Sequence, residues 1–256
     1  MQDQSLMKAR SIYYNLFSKF FVYSKDVTVY FELINILKLL EKNPLDTTTG
    51  EAVSRILSKL DSSSNVALVQ EYDDIFHNPE TKNIRTTASY YDEGVESGKK
   101  RVEMLQFLAK TKIRRNESEF AEYEDSIGFI LTLMAELNEL IVNGEEEYKN
   151  TQHCIFEEIL NDFIEDFAKD VYEHECADIF KDVIIVLKAF IEFERLYLQV
   201  SKPSPREETV REVESCDVIS DEEAQRRARN KAMKANGPKI EDADPEKIAY
   251  DVESEV

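Results

Sequence analysis

The sequence predicts an all-α protein: a single helical bundle of about eight helices, with a hinge before the last helix pair and a disordered acidic tail behind it. Three observations predict it. Gly and Pro number only six each in 256 residues, while Leu, Ile, Glu, Lys and Ala dominate, which suits helices joined by short loops. Apolar residues make up 42% of the chain and recur at helical spacing over most of residues 4–200, enough to bury a core. That spacing fails after Val200, where Pro203, Pro205, Pro238 and Pro245 stand among mixed charges and few large apolar side chains. The organisation read from this is an N-terminal bundle over 1–142, a hinge over 143–150, a final helix pair over 151–200 that completes the bundle, and a tail over 201–256.

From Gln4 to Tyr23 the side chains Leu6, Tyr13, Leu16, Phe17, Phe20 and Phe21 form one aromatic-rich helical face. A second helix covers Thr28 to Lys42 and ends at Asn43-Pro44; a third runs from Thr49 or Gly50 to Leu60. The turn Asp61-Ser62-Ser63-Ser64 precedes a fourth helix reaching Phe76, and it supplies N-cap candidates. His77 to Ala88, with Asn78-Pro79, reads as a long loop. Helices are then expected over Ser89 to Lys112 and Ser118 to Val142, the latter striped by Ile127, Ile130, Met134, Leu137 and Ile141. Asn143-Gly144 ends it, and the last pair is placed at Gln152 to Lys169 and Cys176 to Gln199. In the tail, Asp221 to Ala235 carries a basic cluster and the one stretch with transient-helix character.

A net charge of −20 repels phosphate backbones and anionic bilayers, so nucleic acid is excluded as a partner class. Cys154, Cys176 and Cys216 form no CxxC pair and suit a reducing compartment. The opening residues lack an apolar h-region, and no window approaches the roughly 18 unbroken apolar residues that span a bilayer. The expectation is a cytoplasmic protein without membrane insertion.

Catalytic chemistry finds no footing. GxxxxGK[ST] and GxGxxG do not occur, so no phosphate cradle is expected. No His has a Glu three residues before it, as a di-iron helix bundle requires. His153, Cys154, His174 and Cys176 are the right types for zinc, but the first two and the last two fall at opposite ends of a helix pair, roughly 25 Å apart at about 1.5 Å per residue. Arg114-Arg115 reads as a helix C-terminus. No enzyme activity, cofactor or metal is expected.

Two acidic, aromatic stretches remain, Ser89 to Gly98 and Glu117 to Ser126. Their carboxylates and tyrosines suit helix N-termini and a half-buried core, the reading that spacing alone favours; they also fit a groove for a peptide carrying arginines and apolar side chains. The order of three segments resembles the TorD/DmsD/NarJ-type chaperones of molybdenum-containing redox enzymes. Glu71-Tyr72-Asp73-Asp74-Ile75-Phe76-His77-Asn78-Pro79 is similar to the family's E-Y-x-x-L-F-x-x-P stretch, and Ala88-Ser89-Tyr90-Tyr91 through Gly98 to its Ser-x-Tyr and following Gly. Asp125-Ser126-Ile127 through Met134-Ala135-Glu136-Leu137 is similar to its Asp-His segment and the Met-x-x-Leu behind it. The departures are Ser126 in the place of His, Glu124 where Pro is common, and the C-terminal tail.

The resemblance implies an all-α chaperone, not an enzyme, that binds the twin-arginine signal peptide or N-terminal region of a molybdoenzyme catalytic subunit precursor, with a formate dehydrogenase as the favoured client. It implies a peptide site built from Tyr72, Phe76, Tyr90, Tyr91, Glu93, Gly98, Glu124, Asp125 and Ser126. In it Glu124 and Asp125 would accept guanidinium hydrogen bonds, and Phe76, Tyr90 and Tyr91 would line an apolar trough. A long hinge permits two copies to exchange the final helix pair and so form a homodimer. The alternative readings are a generic helical adaptor and a protein binding a nucleotide or molybdenum cofactor.

Overall fold

A computed structural model describes residues 2–117 and 120–204, with side chains from Ser5 onward. The tail expected over 201–256, with its basic cluster and Cys216, lies outside the described residues beyond Ser204. The described chain is helical: α1 Gln2–Phe21, α2 Val27–Lys42, α3 Thr47–Lys59, α4 Val66–Phe76, α5 Ala88–Glu93, α6 Lys99–Ala109, α7 Ile127–Val142, α8 Tyr148–Ile155, a π-turn Phe156–Leu160, α9 Asn161–Glu173 and α10 Ile179–Leu198. No strand occurs among these residues, and no helix among them is long and apolar enough to cross a membrane.

The centre is α7, which is apolar almost all round and therefore surrounded. It lies along α1, and Gly128 permits the approach: a Cβ at that position would stand 2.6 Å from the Phe21 carbonyl oxygen. The aromatic face of α1 meets α10, where the Phe190 ring centroid lies 5.1 Å from that of Tyr13 and 4.9 Å from that of Tyr14. Such offset and edge-on pairs add to the area they bury.

One buried polar cluster ties four helices together. Arg10 on α1 donates to both carboxylate oxygens of Glu194 on α10 at 2.6 and 2.7 Å, and to Asn138 on α7 at 3.0 Å. Tyr14 donates to the same Glu194 at 2.7 Å, and Gln152 on α8 reaches Asn138 at 2.9 Å. A two-pronged guanidinium–carboxylate pair with its remaining sites hydrogen-bonded is the arrangement that makes a buried charge pair tolerable.

Helix ends follow local rules where a capping side chain is at hand. Asp26 accepts from Thr28 N at 2.7 Å, and Asp46 with Thr49 forms a reciprocal capping box. Several boundaries differ from the expected ones. The helix expected over Ser89 to Lys112 is broken, because Gly94 takes φ 73° and the chain turns a corner before α6. The helix expected from Ser118 starts at Ile127, with Ser126 as its N-cap. The last pair starts at Tyr148 instead of Gln152, and the π-turn joins α8 and α9 without a gap.

Candidate functional site

Two irregular segments, one before α5 and one before α7, run side by side. Ala88 N donates to the Asp125 carbonyl at 2.9 Å and Ile127 N to the Thr86 carbonyl at 2.8 Å, so Thr87 and Ser126 form a single antiparallel bridge. This places the Asp125 side chain, fully buried, under the start of α5. Its Oδ2 accepts from the Ser89 backbone N at 2.9 Å and from the Ser89 hydroxyl at 2.6 Å. Thr87, the local N-cap, makes no side-chain cap, so Asp125 supplies it from 36 residues away.

The Ser89 oxygen then accepts from Arg101 N at 3.1 Å in the first turn of α6. That helix begins at Gly98, which has no capping side chain; Glu93 fills the gap, accepting from Lys99 N at 3.1 Å. A Cβ on Gly98 would meet the Glu93 carboxylate and the Val95 side chain, so a larger residue there would displace Glu93 from its cap. Ser89, Glu93 and Gly98 therefore build the corner between α5 and α6.

Glu124 is held from both sides: Arg101 Nε donates at 2.8 Å and Arg115 Nε at 2.7 Å. Burial pushes its carboxyl upward, but the two guanidinium hydrogen bonds outweigh this and leave it below its ordinary value. The Arg101 guanidinium also lies over the Tyr123 ring, 4.1 Å from its centroid. Arg115 donates further to the Phe120 and Glu122 carbonyls, pinning the approach to α7, whereas its neighbour Arg114 binds carbonyls at the end of α6. Only Arg114 thus has the helix C-terminal place read for the pair.

Two carboxyls here are raised by burial. Asp125 is one, in spite of its bonds from Ser89; its Oδ1 is buried without a partner. Glu122 is the other, set beside the hydroxyls of Ser126, Thr86 and Tyr72, with Oε2 buried and unpartnered. Ser126 itself caps α7, accepting from Phe129 N at 3.3 Å, which a serine does through its oxygen with no need of an imidazole.

The predicted site residues thus divide. Glu124, Asp125 and Ser126 come together with Ser89, Glu93 and Gly98 in the junction of α5, α6 and α7. Tyr72 and Phe76 are core residues of α4, 4% and 7% exposed, packed on each other and on Phe180 of α10. Tyr91 is half-buried against Phe163 of α9, with its hydroxyl 3.3 Å from Asp170, and Tyr90 stands edge-on to it, 39% exposed. Arg101, Arg115 and Glu122 were not among the expected residues. Glu122 lay within the acidic stretch already singled out, but the two arginines carry no spacing signal that pairs them with Glu124. Among the described residues no three His, Cys, Asp or Glu are grouped to hold a metal ion.

The family model for the nitrate reductase delta subunit matches residues 42–169, half of the chain, and takes in the whole junction. A solved structure of a protein described as a candidate redox enzyme maturation protein from Archaeoglobus fulgidus is 22% identical, with 72% of this chain and 93% of that one covered and a TM-score of 0.46. No curated protein matches at a significant level. On the family match, this chain is a member of the nitrate reductase delta subunit family, the NarJ/TorD-type maturation chaperones, and not an enzyme.

Proposed function

We propose that the chain binds the twin-arginine signal peptide or N-terminal region of a molybdopterin-containing oxidoreductase in the cytoplasm, aids insertion of the cofactor and delays export until maturation is complete. Formate dehydrogenase is the client this reading favours. The observation that carries it is the exposed rim around a buried, hydrogen-bonded junction. Tyr90 is 39% exposed, and Asp92 and Glu93 are exposed on the same short helix; Tyr123, whose ring already carries the Arg101 guanidinium, borders them at 38% exposure. Tyrosine faces beside carboxylates accept guanidinium groups and the apolar side chains that follow them. In this reading Glu124, Asp125, Ser126 and Gly98 fix the shape of the rim, Tyr72 and Phe76 brace it from α4, Tyr91 seats the short helix on α9, and Tyr90 and Glu93 face the leader.

The test is fluorescence anisotropy with a labelled synthetic leader carrying Arg-Arg ahead of an apolar run. Tyr90→Ser combined with Asp92→Asn and Glu93→Gln is expected to weaken binding by about tenfold or more, and Lys-Lys in place of Arg-Arg to weaken it as well. Unchanged affinity in the triple variant at low salt would remove the rim from the proposal. Sequencing the N-terminus of the protein that co-purifies from the native cell identifies the client; a partner that is no molybdoenzyme sinks the reading.

A further inference from the structure

On the outer side of the last helix pair, α9 and α10 enclose an open groove of about 330 Å³, lined by Ala168, Lys169, Tyr172, Ile184, Ile185 and Lys188 with Glu173 at its rim. Its floor is apolar: Ala168 and Ile184 are buried and Ile185 partly so. Tyr172 stands 46% exposed at its edge. The groove is independent of the rim described above. Phe163, Phe167 and Asp170 turn toward Tyr91 of α5. At about 100° per residue, Ala168, Lys169 and Tyr172 fall on the opposite side of α9.

Its charge runs against that of the chain. Among the described residues several lysines are held by carboxylates, Lys19 by Glu32, Lys59 by Asp178 and Asp182, Lys100 by Asp162, Lys112 by Glu145 and Lys202 by Glu165, while others, Lys38 and Lys42 of α2 among them, make no ion pair. Lys169 and Lys188 make no ion pair among the described residues, and neither does Lys181, two turns before Lys188 on the same face of α10. Two free ammonium groups flanking an apolar floor complement a segment that brings carboxylates on either side of one large apolar side chain.

We propose that this groove is a second docking surface, and that its occupant is an acidic, amphipathic segment of a partner protein. An aliphatic or aromatic side chain of that segment lies against Ile185 and the Tyr172 ring, and its flanking carboxylates meet Lys169 and Lys188. A second copy of this chain is the poorer occupant, because two surfaces of net charge −20 repel.

The probe is a short fluorescein-labelled peptide of Glu, Leu and Phe, titrated with the full chain in anisotropy, with a second peptide in which every Glu is Gln. The expected result is binding of the Glu peptide that weakens as salt rises, falls about tenfold or more in the Lys169→Glu/Lys188→Glu variant, and changes less than about twofold in Lys38→Glu/Lys42→Glu, which adds the same charge on α2. Both pairs are exposed, and circular dichroism checks that each variant is folded. Equal binding of the Gln peptide, equal losses in the two variants, absence of binding by the Glu peptide, or self-association through the groove in sedimentation each overturns the proposal. The leader-peptide assay run on Lys169→Glu/Lys188→Glu is expected to be unaffected, so failure here is distinct from failure of the rim reading.

Discussion

Ser89 and Asp125 share two hydrogen bonds, 2.9 Å from the serine backbone and 2.6 Å from its hydroxyl, and through them the approach to α7 caps the start of α5. The same hydroxyl accepts from Arg101 N at the start of α6, so one oxygen links three elements. The resemblance assigned this aspartate to ligand binding; its full burial makes it a positioning residue first.

The pair predicts a coupled loss of stability. Asp125→Ala leaves Ser89 N and the Ser89 hydroxyl proton without an acceptor in a buried place and is expected to cost about 2–3 kcal/mol. Ser89→Ala removes the hydroxyl alone and is expected to cost about 1–2 kcal/mol. Urea unfolding of both single variants and the double variant measures their coupling, expected at about 1 kcal/mol. Simple additivity would show that the hydroxyl bond contributes nothing specific.

Glu122 makes a pH-dependent prediction of unusual sign. Burial raises its carboxyl above the ordinary value of 4.5, so the folded state prefers the protonated form. The advantage is fully present below 4.5 and is lost as pH rises through the raised value, above which a poorly solvated anion is carried. Glu122→Gln keeps the shape and drops that charge. Its melting temperature is expected to exceed that of the parent near pH 8 and to converge with it in acid; a variant that is less stable at both pH values contradicts the assignment. Glu124 behaves in the opposite way. Its carboxyl lies below the ordinary value, so the stability from its two arginines is present above that value and lost as pH falls through the lowered one.

How far the sequence discloses this architecture depends on whether the cause is local. The aromatic face of α1, the stop at Asn43-Pro44 and the apolar stripe of α7 are local, and their periodicity is visible in the chain. The corner between α5 and α6 is not, because Met104, Phe107 and Leu108 continue the apolar spacing of the Tyr90 region past the break at Gly94. The caps supplied by Asp125 and Glu93, and the arginines that occupy Glu124, are tertiary pairings that spacing does not announce. The π-turn at Phe156–Leu160 is hidden for another reason: Phe156, Ile159 and Leu160 are all buried, and an extra residue in such a run leaves the apolar pattern unbroken.

The close approach of α1 and α7 rests on Gly128. Gly128→Ala would place a methyl group 2.6 Å from the Phe21 carbonyl oxygen, which is backbone and cannot step aside as a flexible side chain would. The helices must separate or shift, at an expected cost of about 1–3 kcal/mol. A chemical unfolding midpoint within error of the parent would show that the interface relaxes freely.

Glu71, the first residue of the segment likened to E-Y-x-x-L-F-x-x-P, caps a helix 107 residues downstream. Its carboxylate accepts from Asp178 N at 2.7 Å, Ile179 N at 3.1 Å and Phe180 N at 2.9 Å, donors at the start of α10 that have no partner within the helix, where Asp178 makes no side-chain cap of its own. A negative charge there also meets the positive end of the helix dipole. Glu71→Ala is expected to cost about 1–2 kcal/mol, and Glu71→Gln less, because the amide oxygen still accepts while the charge is gone. Hydrogen exchange distinguishes a local cap from a general packing defect. Faster exchange confined to the first turn of α10 supports the cap, whereas a uniform rise across α4 and α10 would mean that Glu71 acts by holding the two helices together.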